Sequence, residues 1–326
     1  MDALLPVKAH ASLNHRTARA LLACLVMVQP QGTAQAPSTA SSSYSMNVTV
    51  NEVAITFHAT DAHDLPVLDL KPSELDIFDN EHGPGHIVSM RLLQDRSIRA
   101  ALIIDTSGSV SSQIRRSSAE AQEAVQTLLV QTTDEGTALA FDRSRRVVQS
   151  WTNQREDLLK GIADIGPNAH NKIDGSSVYD TLFSTCFFEF GKGARPTAAN
   201  VILLFSDGVD TASHMTMKAA IDRCRQSQTA VYVFSSKPVS ETSSLGTSTL
   251  LQLTEQTGGR LFYDDDPEDK IHTDIETVES DLRNVYYLLY RPKTLLSDGA
   301  FHKVVLVGPQ RVAQIGGTSG FCGPVY

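Results

Sequence analysis

The sequence predicts an α/β fold: a doubly wound, mostly parallel sheet with a small N-terminal β-rich module. Three observations predict it. Ala100–Ile104 and Val201–Phe205 are short, unbroken apolar runs, the pattern of strands buried on both faces of a parallel sheet. From Arg99 onward, apolar runs of this kind alternate with stretches of helical spacing, which places helices on both faces of one sheet. Ahead of that point apolar residues alternate with a period of two, as in half-buried strands.

Residues 1–36 read as a signal peptide. Lys8, Arg16 and Arg19 precede the apolar run Ala20 to Val28, and Ala34-Gln35-Ala36 has the small-x-small form of a cleavage site. The run is too short to span a bilayer, so no transmembrane segment is expected in the mature chain. Cys24 lies inside the run rather than after it, against a lipoprotein signal. Residues 37–44 are Ser-rich and read as a linker. Residues 45–96 form the β-rich module, with Met46, Val48 and Val50, then Val53, Ile55 and Phe57, then Leu75 to Phe78 and Ile87 to Leu93.

Residues 97–265 carry the α/β rhythm. Gln113 to Val130 has apolar residues at helical spacing, with Ser111 or Ser112 able to cap its start. Thr137 to Phe141 and Arg146 to Trp151 read as strands, and Glu156 to Ile165 as a helix ended by Gly166-Pro167. Val178 to Phe190 is a helix after a Gly-Ser turn, and Met215 to Gln228 is amphipathic. Ala230 to Phe234 is a strand, Thr249 to Gln256 a helix stopped by Gly258-Gly259, and Leu261 to Tyr263 a strand. Residues 266–326 hold a helix from Pro267 to Asn284 and closing strands at Val285 to Tyr290 and Lys303 to Val307. Gly316 to Tyr326 reads as frayed.

The chain has 326 residues, 41% hydrophobic and 20% charged, ordinary for a globular protein. A net charge of -9 argues against a general nucleic-acid binder. Cleavage after Ala36 leaves Cys186, Cys224 and Cys322, so at most one pair can form. Cys186 and Cys224 fall in predicted helices and read as buried thiols.

The candidate site comes from the ends of the two buried runs. The first ends in Asp105-Thr106-Ser107-Gly108-Ser109 and the second in Ser206-Asp207-Gly208. Ligands of open α/β sheets sit outside the carboxyl ends of the strands. These donors are all oxygens, which suits Mg²⁺, Mn²⁺ or Ca²⁺ rather than zinc. Both aspartates could instead cap turns.

These strings, with Asp174-Gly175-Ser176-Ser177-Val178-Tyr179-Asp180 opening a helix between them, resemble a von Willebrand factor type A domain, a Rossmann-like fold, with its metal-ion-dependent adhesion site. The resemblance implies that Ser107 and Ser109 ligate a divalent cation directly, while Asp105 and Asp207 hold it largely through water. Ser176 stands where the family usually has Thr, with Ser177 as the fallback. It also implies a protein partner that completes the coordination with an Asp or Glu carboxylate. The lead-in Leu75-Asp76-Ile77-Phe78-Asp79-Asn80 and the stretch Asn284 to Pro292 resemble exported bacterial proteins called VWFA-related. That implies a periplasmic, envelope or secreted location.

Other features have plainer readings. Asp142 and Asp210 read as turn or cap residues, and Arg143, Arg145 and Arg146 as a hairpin tip. Asp264-Asp265-Asp266 reads as a solvated helix start, and Trp151 as packing at a strand end. Gly83-Pro84-Gly85 breaks any helix that would pair His82 with His86. No serine-hydrolase elbow or Walker loop is present in the sequence, so no enzyme is expected. The alternatives are a Mg²⁺-dependent phosphoryl-transfer or hydrolytic enzyme with Asp105 as nucleophile, and an envelope scaffold with a vestigial metal site.

Overall fold

A computed structural model of the chain describes residues 52–79, 85–165, 175–191, 198–238, 240, 244–263, 270–292, 301–317 and 320–322. The signal peptide, the linker, Met46 to Val50, His82 and Asp264 to Asp266 lie outside the described residues.

In chain order the elements are Val53–Thr60 (β1), Asp76–Asp79 (β2), His86–Leu93 (β3), Ser97–Asp105 (β4), Ile114–Leu128 (α1), Glu135–Phe141 (β5), Arg145–Thr152 (β6), Arg155–Ala163 (α2), Val178–Phe188 (α3) and Ala198–Ser206 (β7). Then come Met217–Gln226 (α4), Thr229–Ser235 (β8), Leu245–Thr257 (α5), Leu261–Phe262 (β9), Lys270–Arg283 (α6), Val285–Arg291 (β10), Phe301–Val307 (β11), Gln314–Gly317 (β12) and Gly320–Cys322 (β13).

The central sheet has the order β6-β5-β4-β7-β8-β9. All its pairings are parallel except that of β6 with β5. Alternation along the two central strands sends side chains to opposite faces. Ile98, Ala100, Leu102 and Ile104 of β4, with Val201, Leu203 and Phe205 of β7, meet α1, α2 and α6. Ala101 and Ile103, with Ile202 and Leu204, meet α3, α4 and α5. Each such Leu or Ile contributes roughly 1.5–3 kcal/mol by leaving water, so these two strands fix the layers.

α1 buries Ile114, Ser117, Ala121, Ala124, Val125 and Leu128, a stripe at helical spacing. Its start differs from expectation. A 3₁₀ turn over Gly108–Val110 intervenes, and the cap position falls on Gln113 with no side-chain capping bond. Ser112 instead donates to Gln113 Oε1. α5 begins at Leu245, earlier than its apolar spacing suggests, because Ser244 Oγ accepts the Thr247 N–H. It ends at Gly258 with φ 84°, a left-handed turn suited to glycine.

Strands from both ends of the chain share a second core. β12-β1-β10-β3 form one antiparallel sheet and β13-β11-β2 another. Ile55, Phe57, Ile77, Leu288, Tyr290 and Val304 pack together between them. The stretch expected to fray, Gly316 to Tyr326, instead contributes to strands: Gly316 pairs with His58 and Gly320 with Lys303. Their sequence is too Gly-rich to show a strand pattern, and the partner strands supply the ladder.

One expectation is overturned. Cys186 and Cys224 are joined as a disulfide rather than held as two free thiols. α3 and α4 lie side by side in one core, which brings both cysteines to the same place, with their Cα atoms 5.0 Å apart.

Candidate metal centre

The carboxyl ends of β4 and β7 and the first turn of α3 meet at one rim of the central sheet. Asp105 is the last residue of β4, held at register by Thr106, whose N–H and Oγ both donate to Phe141 O at 2.7 and 2.9 Å. Asp105 Oδ1 accepts the Ser107 N–H at 2.9 Å. Its Oδ2 accepts Ser206 Oγ at 2.7 Å and Ser176 Oγ at 3.3 Å. Ser107 Oγ lies 3.3 Å from Ser109 Oγ. Thus Asp105, Ser107, Ser109 and Ser176 form one hydrogen-bonded cluster from separate loops.

Asp207 follows Ser206 at the end of β7 and accepts the Val209 N–H at 3.1 Å. Its turn requires Gly208, at φ 74°. A Cβ there would meet Leu250 Cγ at 2.5 Å and Gly246 O at 2.6 Å, so the Asp207 turn sits directly on the start of α5. Ser176 is positioned by the next loop: its N–H donates to Thr211 Oγ1, and its carbonyl accepts from the N–H groups of Thr211 and Ala212.

The electrostatics are lopsided. Asp105 and Asp207 are 1% and 2% exposed. Burial pushes the Asp105 carboxyl above its usual range; bonds from Ser107 and Ser206 pull it down, and the charge of Asp207 pushes it up again. Among the described residues, no Lys, Arg or His pairs with either carboxylate. Buried charges need partners, and a hard cation suits this set of carboxylate and hydroxyl oxygens. Ser107 and Ser176 are buried, and Ser109 is exposed, which leaves one side open to solvent. Among the described residues, no three His, Cys, Asp or Glu side chains gather as a metal cluster.

Ser177, the fallback for Ser176, is engaged elsewhere: its N–H and Oγ both donate to Asp142 O. The Asp142 carboxylate accepts the Ser144 N–H, as a turn residue does. Asp210 accepts the Tyr179 N–H and binds Ser213, so it caps α3 from a different loop. Asp180 in turn accepts the His214 and Met215 N–H groups. Ser206 and Thr211 were not singled out from the sequence. Ser206 stands beside Asp207 in the string, but nothing in the string tells that its hydroxyl reaches back to Asp105.

The family model for the von Willebrand factor type A domain matches residues 101–277. Similar solved structures include BatB from Bacteroides thetaiotaomicron, with 11% identity, 56% of this chain and 98% of that one covered, and a TM-score of 0.45. Another is the von Willebrand factor type A protein from Catenulispora acidiphila, with 13% identity, 76% and 73% covered, and a TM-score of 0.44. Proximal thread matrix protein 1 from the mussel byssus, with a zinc-occupied MIDAS motif, has 15% identity, 58% and 49% covered, and a TM-score of 0.44. No curated protein matches the chain.

Proposed function

The chain belongs to the von Willebrand factor type A domain family, and from that premise we propose that it is a cation-dependent protein-binding module of an exported bacterial protein. Asp105, Ser107, Ser109, Ser176 and Asp207 hold one divalent cation, Mg²⁺ or else Mn²⁺ or Ca²⁺. The observation that carries this reading is the pair of buried carboxylates with no cationic partner among the described residues. Neutral hydroxyls and only two carboxylates leave the cation much of its charge. A partner's Asp or Glu carboxylate then completes the coordination from the open Ser109 side. Ser176 supplies the hydroxyl without the methyl that stiffens a Thr rotamer.

Export is supported by the Cys186–Cys224 disulfide, since such bonds persist in oxidising compartments. Among the described residues, no helix is long and apolar enough to cross a membrane. Binding is favoured over catalysis because Asp105 is almost wholly buried and its Oδ2 is covered by two hydroxyls. A nucleophile needs an open oxygen.

The test is capture from envelope extract on the immobilised chain, with Mg²⁺ or with EDTA. A partner retained in Mg²⁺, released by EDTA and lost with Asp207→Ala supports the proposal. A partner held equally well in EDTA contradicts it.

A further inference from the structure

Three exposed side chains flank the candidate metal centre without belonging to it. Arg143 stands at the tip of the β5–β6 hairpin. The carbonyl of its neighbour Asp142 accepts both the N–H and the Oγ of Ser177, which staples the hairpin tip to the loop that carries Ser176. Gly175, at φ 139°, lies beneath the arginine stem: a Cβ there would meet Arg143 Cγ at 3.1 Å. The guanidinium is therefore held beside the site by its own stem. Among the described residues no carboxylate pairs with it, whereas Arg145, two residues on, meets Glu189 at 2.7 Å.

The other flank is apolar. Val209 follows the Asp207 turn and Leu245 opens α5; they are 39% and 84% exposed. Both adjoin Asp207. A Cβ on Gly246 would meet Asp207 O at 2.3 Å and Val209 Cγ2 at 3.1 Å, so the residue after Leu245 packs against the turn itself. The strand order β5-β4-β7 puts Arg143 on one side of Asp105 and the apolar pair on the other. With two strand spacings between them, the flanks lie on the order of 10 Å apart, the reach of three or four extended residues.

We propose that this rim selects a partner segment in which the cation-binding carboxylate lies between a second acidic side chain and an aliphatic one. The second acid meets Arg143, and the aliphatic side chain covers Val209 and Leu245. The inference rests on the cation-dependent reading above and adds what is recognised beside the metal. A cation alone accepts any exposed acid. An unpaired arginine on one side and solvated aliphatic surface on the other reject acids with the wrong neighbours. Each flank is exposed, so each adds modestly to affinity, and discrimination comes from matching both.

The test is a random-peptide display library panned on the immobilised full chain in Mg²⁺ and eluted with EDTA. The eluted peptides are expected to be enriched in an acid accompanied by a second acid and by Leu, Ile or Val in the same short stretch. One such peptide, made synthetically, is then titrated by fluorescence anisotropy. Arg143→Glu is expected to weaken it about tenfold, as an exposed ion pair becomes a repulsion. Changing the second acid of the peptide to Lys is expected to restore binding to that variant, which a merely structural role of Arg143 would not do. Leu245→Ser is expected to weaken the peptide about 3- to 10-fold, with Mn²⁺ uptake unchanged in both variants. EDTA-eluted peptides with an acid but no preferred neighbours, or undiminished binding by both variants, overturn this inference and leave the cation-dependent reading standing. Peptides that EDTA releases no better than buffer overturn that reading and this inference with it.

Discussion

The two ends of the central sheet treat buried acids in opposite ways. Near the starts of the strands, Asp134 meets Arg283 at 2.8 Å and Asp281 meets Arg260 at 2.7 Å. Asp134 also accepts the Ile98 and Gln131 N–H groups. At the carboxyl ends, Asp105 and Asp207 are buried as deeply but find only hydroxyls and backbone N–H groups. Similar burial with different partners separates acids paired with an arginine from acids held only by hydroxyls and backbone N–H groups. The first are neutralised within the fold; the second leave negative potential at an open rim.

Substitution at each end sharpens the contrast, and the largest effect belongs to the strand starts. Asp134→Ala leaves the buried Arg283 with Glu279 alone and strips the Ile98 and Gln131 N–H groups of their acceptor, and is expected to cost about 3 kcal/mol. Asp105→Asn, in the absence of divalent cation, removes a buried charge that has no partner and is expected to cost far less. Urea unfolding in EDTA measures both. Equal losses would erase the distinction between the two ends.

Next in size is the link between α3 and α4. Replacing both Cys186 and Cys224 with Ala is expected to lower stability by roughly 2–4 kcal/mol, while cation binding persists. The disulfide ties down the helix whose start carries Ser176 but touches none of the site oxygens. Loss of cation binding in a still-folded variant would show that the rim depends on this tether.

The smallest effect concerns His58, which packs near Asp281 at 3.4 Å. Burial holds its imidazole below the usual range, against the pull of Asp281 and with the help of Arg260. The unfolded chain therefore takes up a proton near pH 6.5 that the folded chain refuses. That part of the stability is present above about pH 6.5 and is lost as pH falls toward the lowered folded value. His58→Gln is expected to lose less stability than wild type between pH 7.5 and 5.5, by urea midpoint. Identical acid sensitivity in the two would remove His58 from the account.

Much of this was legible in the sequence, for physical reasons. Apolar runs such as Val201–Phe205 announce buried strands because both faces must be apolar, and β7 adds only its flanks. Asp105, Ser107 and Ser109 are adjacent in the chain, so their convergence needs only one turn. What stayed hidden depends on distant pairing. Arg283 reaches Asp134 across 149 positions, and Cys186 reaches Cys224 across 38. Neither spacing carries a periodic signal. The choice of Ser176 over Ser177 required knowing that Asp142 O faces the latter. β12 and β13 are strands by virtue of their neighbours, not their residues.

The most direct measurement is calorimetric titration of Mn²⁺ into the chelator-treated full chain and into Asp105→Asn. The account predicts one Mn²⁺ per wild-type chain and none bound by the folded variant. Folded wild-type protein that takes up no Mn²⁺, or a variant that binds it equally well, would contradict the claim that the unpaired carboxylates at the rim are there to hold a cation.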